Sequence, residues 1–156
     1  MSVIVRDARR DELPPLALAA AQQTLLVRYH ADGARLGADL QAALDRGEPI
    51  LVAEHDGAAA GFAWYLPHGG LGLGAYLRLI ALAPGSEGHG LGTALMDELE
   101  RRVAAASRHL FLLVSHFNDG ARRFYAARGY RECGLLPGIV RPEIDEIICW
   151  KRLRGP

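Results

Sequence analysis

Apolar and polar residues follow one another along this chain in two periods, one typical of strands and the other of helices. Runs that are β-branched or almost wholly apolar predict strands. Apolar residues at every fourth position, as at Leu36, Leu40 and Leu44, predict a helix. The predicted strands cover residues 3–6, 50–54, 61–66, 75–83, 109–115, 130–135 and 144–153, and the predicted helices cover 12–27, 36–44, 93–106 and 119–128.

Turn-forming residues separate these elements. His55-Asp56-Gly57 lies between two strands and predicts a β-hairpin. The glycine-rich residues 67–74 predict a mobile loop, and Pro137-Gly138 with Pro142 predict a loop between the last two strands. Asn118 is a suitable N-cap for the last helix, which Gly129 would end.

The order of elements is strand, two helices, three strands, helix, strand, helix and two strands. This order predicts an α/β protein in which helices surround a mixed sheet. Residues 75–83 are nearly all apolar, so we expect a central strand that is buried on both faces. The chain has no repeat, linker or low-complexity segment, and we expect one domain over residues 1–156.

Composition narrows the classes of function. The 18 acidic and 18 basic residues balance, which argues against a nucleic-acid-binding protein. The two cysteines and six histidines lack the spacing of metal ligands, so no metal site is predicted. The N-terminus lacks an apolar signal segment, and no run is long enough to span a membrane. We therefore expect a cytoplasmic protein.

A second glycine-rich stretch, Gly88-His89-Gly90-Leu91-Gly92-Thr93, follows an apolar strand and opens a helix. Glycines leave the backbone open to an anion, and the first N–H groups of a helix have no partner within it. The helix dipole adds positive charge there, so the stretch suits a phosphate or diphosphate. It lacks the Lys-Ser or Lys-Thr of a P-loop, and its sixth place, Thr93, departs from the dinucleotide motif. Glycines that merely form a tight turn remain the alternative.

Residues 79–84 followed by Glu87-Gly88-His89-Gly90-Leu91-Gly92 resemble the central motif of the GNAT superfamily of N-acetyltransferases. Pro84, Gly90 and Gly92 match that motif, whereas Glu87 stands where the family has Arg or Gln. A later match lies at Asn118, Ala121, Tyr125, Gly129 and Tyr130, and the final strand is also similar. The resemblance implies the GNAT acyl-CoA N-acyltransferase fold, a mostly antiparallel, splayed, seven-stranded sheet flanked by four helices.

The resemblance also implies a role for individual residues. Backbone groups of Ile80, Ala81 and Leu82 would bind the pantetheine of acetyl-CoA, and one of them would face the developing oxyanion. The residues that would hold the diphosphate are Gly88, His89, Gly90, Leu91, Gly92 and Thr93. Asn118 would bind the pantetheine arm, and Tyr125 would give a proton to the departing thiolate.

The general base is less defined by the sequence. Some peptide-directed relatives have a Glu five residues before the Asn, where this chain has Leu113. His116 is the leading candidate, because it follows a strand beside the proposed site and imidazole exchanges protons near neutral pH. The other candidates are Asp119, Glu54, His68 and a chain of water molecules.

The sequence thus predicts an acetyltransferase that uses acetyl-CoA and no metal to acetylate an amine of a small molecule. Nucleic-acid and membrane partners are not expected, and a homodimer is compatible with the resemblance. Three alternatives stay open: a non-catalytic acyl-CoA-binding or regulatory domain of the same fold, a peptide or protein N-acetyltransferase, and an unrelated α/β protein.

Overall fold

The computed structural model describes residues 2–154, which form seven strands, five α-helices and one short 3-10 helix at Arg10–Glu12. The strands are β1 (Val3–Asp7), β2 (Ile50–His55), β3 (Ala58–Gly70), β4 (Gly74–Leu82), β5 (His109–Ser115), β6 (Arg131–Arg141) and β7 (Ile144–Arg152). The helices are α1 (Leu13–Ala20), α2 (Thr24–Arg28), α3 (Gly33–Asp45), α4 (Leu91–Ala104) and α5 (Asp119–Ala127).

The seven strands form one sheet in the order β1-β2-β3-β4-β5-β7-β6. β2 pairs antiparallel with β1 and β3, and β7 does so with β5 and β6. β4 and β5 pair in parallel from Ala75 to Leu77, three of the nine residues of β4. The α/β fold and the mostly antiparallel seven-stranded sheet are therefore confirmed.

The number of helices differs from the prediction, since residues 2–154 form five α-helices rather than four. One helix was expected over residues 12–27, but α1 ends at Ala20 and α2 begins at Thr24. Gln23 separates them in an extended conformation, with ψ of 142°. The order of elements is otherwise as predicted.

The chain groups into two compact units, Met1–Tyr65 with Leu79–Arg102 and Leu66–Arg78 with Val103–Pro156. The single domain expected from the sequence stays a prediction. The apolar side chains of α1, α2 and α3 pack on β2, β3 and the end of β4 in the first unit. Burying a large apolar side chain such as Phe62 stabilises the fold by roughly 1.5–3 kcal/mol.

The close approach of α1 and α3 requires Gly37, where a Cβ would lie 2.9 Å from Pro14 Cα.

The prediction of a mobile loop at residues 67–74 is wrong. Residues 67–70 continue β3, a turn at 71–73 follows, and Gly74 begins β4. Glycine is needed here because the hairpin lies close to β5: a Cβ on Gly74 would lie 2.3 Å from His109 O, and one on Gly70 would lie 2.5 Å from Phe111. Close packing, not mobility, explains these glycines.

Two further expectations are wrong. The loop expected at Pro137-Gly138 is part of β6, whose pairing with β7 shifts register there. Only residues 142–143 form the turn between the two strands. β4 is not buried on both faces throughout, because Arg78 is exposed and Ile80 is half-buried. None of the helices in residues 2–154 has both the length and the apolar character that crossing a membrane requires.

Candidate acyl-CoA site

The loop between β4 and α4 has the backbone that an anion site needs. Gly85, Gly88 and Gly90 have φ of 81°, 78° and 78°, values that favour glycine. A Cβ on Gly88 or Gly90 would meet nothing within 4 Å, so φ and not crowding explains these two glycines. The loop is therefore open on the side where those side chains would stand.

Helix α4 begins at Leu91, two residues before the predicted start. The first helical bond runs from Ala94 N–H to Gly90 O, at 2.9 Å. The N–H groups of Leu91–Thr93 precede that bond, and they have no acceptor within the helix. Leu91 is buried, as are Leu95 and Leu99 on the same stripe, so this face of the helix is buried from its first residue onward.

The carboxylate of Glu87 has hydrogen-bond donors in Gln23 and in the loop itself. Gln23 Nε2 donates to Glu87 Oε1 at 2.6 Å and to Leu82 O at 2.9 Å. Hydrogen bonds from the Glu87 N–H and from Gln23 lower the pKa of this carboxyl, and the Gly85 N–H contributes further. The carboxylate is therefore occupied by neutral donors of the first unit.

The end of β4 is tied to its neighbours in the same unit. Ala83 N–H donates to Ala60 O at 2.8 Å, and a Cβ on Gly61 would lie 2.5 Å from Leu82 Cδ2. Ala81 is buried, whereas Ile80 and Leu82 are half-buried. The three residues expected to bind pantetheine thus stand directly before the glycine loop.

His89 has an unexpected neighbour. Its ring stacks on that of His55, at the end of β2, with centroids 4.6 Å apart and an interplanar angle of 30°. His55 Nε2 lies 3.6 Å from Asp56 Oδ2 and makes no hydrogen bond although it is buried. The sequence does not reveal this pair, because the two histidines are far apart along the chain.

Helix α5 of the second unit carries Asn118 and Tyr125. Asn118 is the N-cap as predicted, and its Oδ1 accepts from Ala121 N–H at 3.1 Å. Tyr125 is 7% exposed and packs edge-on against Phe124 and Tyr130. Burial, with the nearby Cys149 thiol contributing, raises the pKa of Tyr125, so the phenol keeps its proton across the working pH range.

His116 directly follows β5, and Asp145 fixes its position. Its Nδ1 lies 3.2 Å from both the N and the O of Asp145, and its backbone N–H donates to Asp145 O at 3.0 Å. Two tautomers fit this geometry. The one with Nδ1–H donating to Asp145 O leaves Nε2 as the basic atom, and His116 is exposed.

Glu146 is a buried acid that the sequence does not single out. It is 4% exposed, and it lies opposite Ser115 in the β5–β7 ladder, where Ser115 is also 4% exposed. The ladder pairs Leu113 with Ile148, two residues along β7, so Leu113 and Glu146 share one face of the sheet. The sequence signal for it is weak, because Glu146 stands beside Asp145, directly before the apolar residues 147–150 of β7.

The other candidate bases differ in their surroundings. Glu54 is paired with Arg6, which also binds Glu12, while His68 on β3 and Asp119 at the start of α5 are exposed. Residues 2–154 contain no group of three or more His, Cys, Asp or Glu side chains that could hold a metal ion.

A mixed seven-stranded sheet whose central strand leads through a glycine loop into a helix N-terminus defines a class of phosphate-binding α/β proteins. The model of the acetyltransferase (GNAT) family matches residues 10–130. The chain belongs to this family, as the sequence predicted.

Two similar proteins are also named as acetyltransferases. The chain is 32% identical over 159 residues to a mycothiol acetyltransferase of Geodermatophilus obscurus, a match covering 98% of this chain and 49% of that protein. It is 36% identical over 112 residues to an uncharacterised N-acetyltransferase of Methanocaldococcus jannaschii, covering 67% and 69%. The chain thus spans about half the length of the mycothiol acetyltransferase.

Solved structures share the fold. An acetyltransferase from Salmonella typhimurium, solved with acetyl-CoA, superposes with a TM-score of 0.75 at 17% identity, covering 100% of this chain and 96% of that one. A ribosomal-protein-alanine N-acetyltransferase from Brucella melitensis gives a TM-score of 0.77 at 23% identity, covering 96% and 99%. At these identities the likeness concerns the fold alone.

Proposed function

We propose that this chain transfers the acetyl group of acetyl-CoA to an amine of a small molecule. The observation that carries the proposal is the open glycine loop at the N-terminus of α4, directly after the end of β4. Family membership supports the same activity.

The loop fits the diphosphate of acetyl-CoA. N–H groups that precede the first helical bond and the positive end of the helix dipole suit a dianion. The Glu87 carboxylate accepts from Gln23 and from its own N–H rather than from the N–H groups of Leu91–Thr93. Backbone groups of Ile80, Ala81 and Leu82 are proposed to bind the pantetheine arm, together with Asn118.

The transfer forms a C–N bond and breaks the C–S bond of the thioester. A neutral amine attacks the carbonyl, the amine loses a proton to a base, and the departing thiolate gains one. Tyr125 is proposed to donate this proton to the thiolate. Because burial keeps the phenol protonated, it is always available as a hydrogen-bond donor to the sulfur.

His116 is proposed as the base. In this role Nδ1–H donates to Asp145 O, and Nε2 takes the proton of the amine. Glu146 is the second candidate, favoured by its burial on the face of Leu113, the place where peptide-directed relatives have a Glu.

A small acceptor is supported by two observations. Two similar proteins, from Geodermatophilus obscurus and Nocardia farcinica, are named mycothiol acetyltransferases. Leu113 also replaces the Glu of peptide-directed enzymes. The chain itself carries no net charge that would favour a polyanionic or polycationic partner.

The proposal is tested by calorimetry with acetyl-CoA and by thiol release with a panel of amines. We expect binding and amine-dependent release of CoA by the natural chain. Tyr125→Phe should lower turnover at least about tenfold, because an unprotonated thiolate leaves poorly, while acetyl-CoA affinity changes less than about twofold.

Tyr29→Phe, in the first unit, is the matched control and should retain full turnover. Absence of any heat with millimolar acetyl-CoA would refute the proposal. Binding without release for any amine would instead indicate an acyl-CoA-binding domain, and unchanged turnover in Tyr125→Phe would remove Tyr125 from the reaction.

A further inference from the structure

The stacked histidines bring a second titratable side chain to the glycine loop. His89 lies between Gly88 and Gly90, neither of which has a side chain and both of which have positive φ. Its ring stacks on the ring of His55, on the end of β2, with the centroids 4.6 Å apart. His89 is consequently half-buried in an otherwise exposed part of the loop.

His55 has an acidic neighbour and an unbonded ring nitrogen. Its Nε2 is buried without a hydrogen-bond partner, which is unfavourable for a polar atom. Asp56 Oδ2 lies 3.6 Å away, while Asp56 Oδ1 accepts from Ser2 N–H at 2.8 Å. A proton on Nε2 would gain a charged partner in Asp56. If both rings were protonated, two positive charges would lie as close together as the two stacked rings and would repel each other. The pair can therefore hold one added proton more easily than two.

The loop otherwise lacks a cation. Glu87 stands where the family motif has Arg or Gln, and its carboxylate is bound by Gln23. From Pro84 to Thr93, His89 is the one side chain that can become positive. The charged groups around the pair are Asp56 beside His55 and Glu87, which interacts electrostatically with His89.

We propose that His55 is a positioning residue that holds the His89 imidazole at this loop, and that the pair takes up a proton when the diphosphate of acetyl-CoA binds. The positive charge that Glu87 does not supply then comes from the stacked imidazoles. This inference rests on the proposed function, because it needs acetyl-CoA to bind at the loop.

The proposal is tested by titration calorimetry with acetyl-CoA in buffers of different ionisation enthalpy. The natural chain should take up a larger fraction of a proton on binding than either His89→Gln or His55→Gln. Its affinity should weaken from pH 6 to pH 8, by at most about tenfold per pH unit for one proton. The variants should show a shallower dependence. Protons that the ligand itself exchanges are common to all proteins and cancel in the comparison.

His30→Asn is the matched control, because His30 has φ of 57°, a value that Asn tolerates, and it should keep the uptake of the natural chain. Histidine NMR titrations of the natural chain, with and without acetyl-CoA, give a second readout that needs no variant. Equal uptake in His89→Gln and the natural chain would overturn the inference while leaving the proposed function standing. Loss of uptake in His89→Gln alone would overturn the positioning role of His55. Absence of binding by the natural chain would refute the proposed function itself.

Discussion

Glu87 shows how the surroundings of one side chain change the meaning of a motif. By sequence, an acid at the Arg or Gln position brings negative charge towards a diphosphate. In the structure, Gln23 and the loop's own N–H groups bind the carboxylate, and Gln23 also binds Leu82 O. The same contacts tie the loop to the end of β4, so Glu87 has a structural use that a cation would not have.

The two candidate bases can be separated by their variants. If His116 is the base, His116→Ala should flatten the acidic limb of the rate–pH profile and lower turnover about 10²–10⁴-fold, the usual size of general base catalysis. Glu146→Gln should then keep that limb. The reverse outcome would assign the base to Glu146, and an intact limb in both variants would exclude both residues. Glu143→Gln, in the exposed β6–β7 turn, is the control for the loss of a carboxylate.

Helices α1 and α3 meet at a point where the sequence shows only a glycine within a helix. Gly37 would be expected to weaken α3, since glycine is a poor helix former. The structure gives the reason for it: a side chain there would press on the backbone of Pro14 in α1. Gln23, which binds Glu87 of the site loop, lies between α1 and α2 in the same unit.

Gly37→Val should therefore destabilise the chain. Overpacking of this kind costs about 1–3 kcal/mol, which corresponds to a thermal midpoint lower by roughly 2–10 °C. Ala38→Val, at the adjacent exposed position of the same helix, should shift the midpoint little. Thermal unfolding of both variants followed by circular dichroism provides the measurement, and equal midpoints would show that α1 and α3 can separate at no cost.

An ion cluster in the first unit links the start of the chain to β2. Arg6 binds Glu12 through both carboxylate oxygens, at 2.7 and 2.8 Å, and it also pairs with Glu54. Its hydrogen bonds hold the pKa of Glu12 below its usual value of 4.5. A carboxyl whose pKa is lowered on folding stabilises the fold above its unfolded pKa, and that contribution is lost as pH falls through the lower, folded value.

Glu12→Gln should consequently lower the stability of the chain at pH 7 by about 2 kcal/mol, as expected for a partly buried, charged hydrogen bond. The difference from the natural chain should shrink as pH falls below about 4.5 and vanish once Glu12 is protonated in both states. Urea unfolding at several pH values checks this. Asp39→Asn, with an exposed carboxylate, is the control, and a difference that persists at low pH would contradict the electrostatic explanation.

The sequence by itself determined the features that depend on a few neighbouring residues. It predicted the strand at His109–Ser115, the cap at Asn118, the β2–β3 hairpin and the glycine loop before α4, because dihedral preference and apolar period are local properties. Only the tertiary structure decided the break at Gln23, the tight fit of Gly70 and Gly74, the stack of His55 on His89 and the burial of Glu146. Each of these arises from contacts between residues far apart along the chain, which packing selects and local preference does not encode.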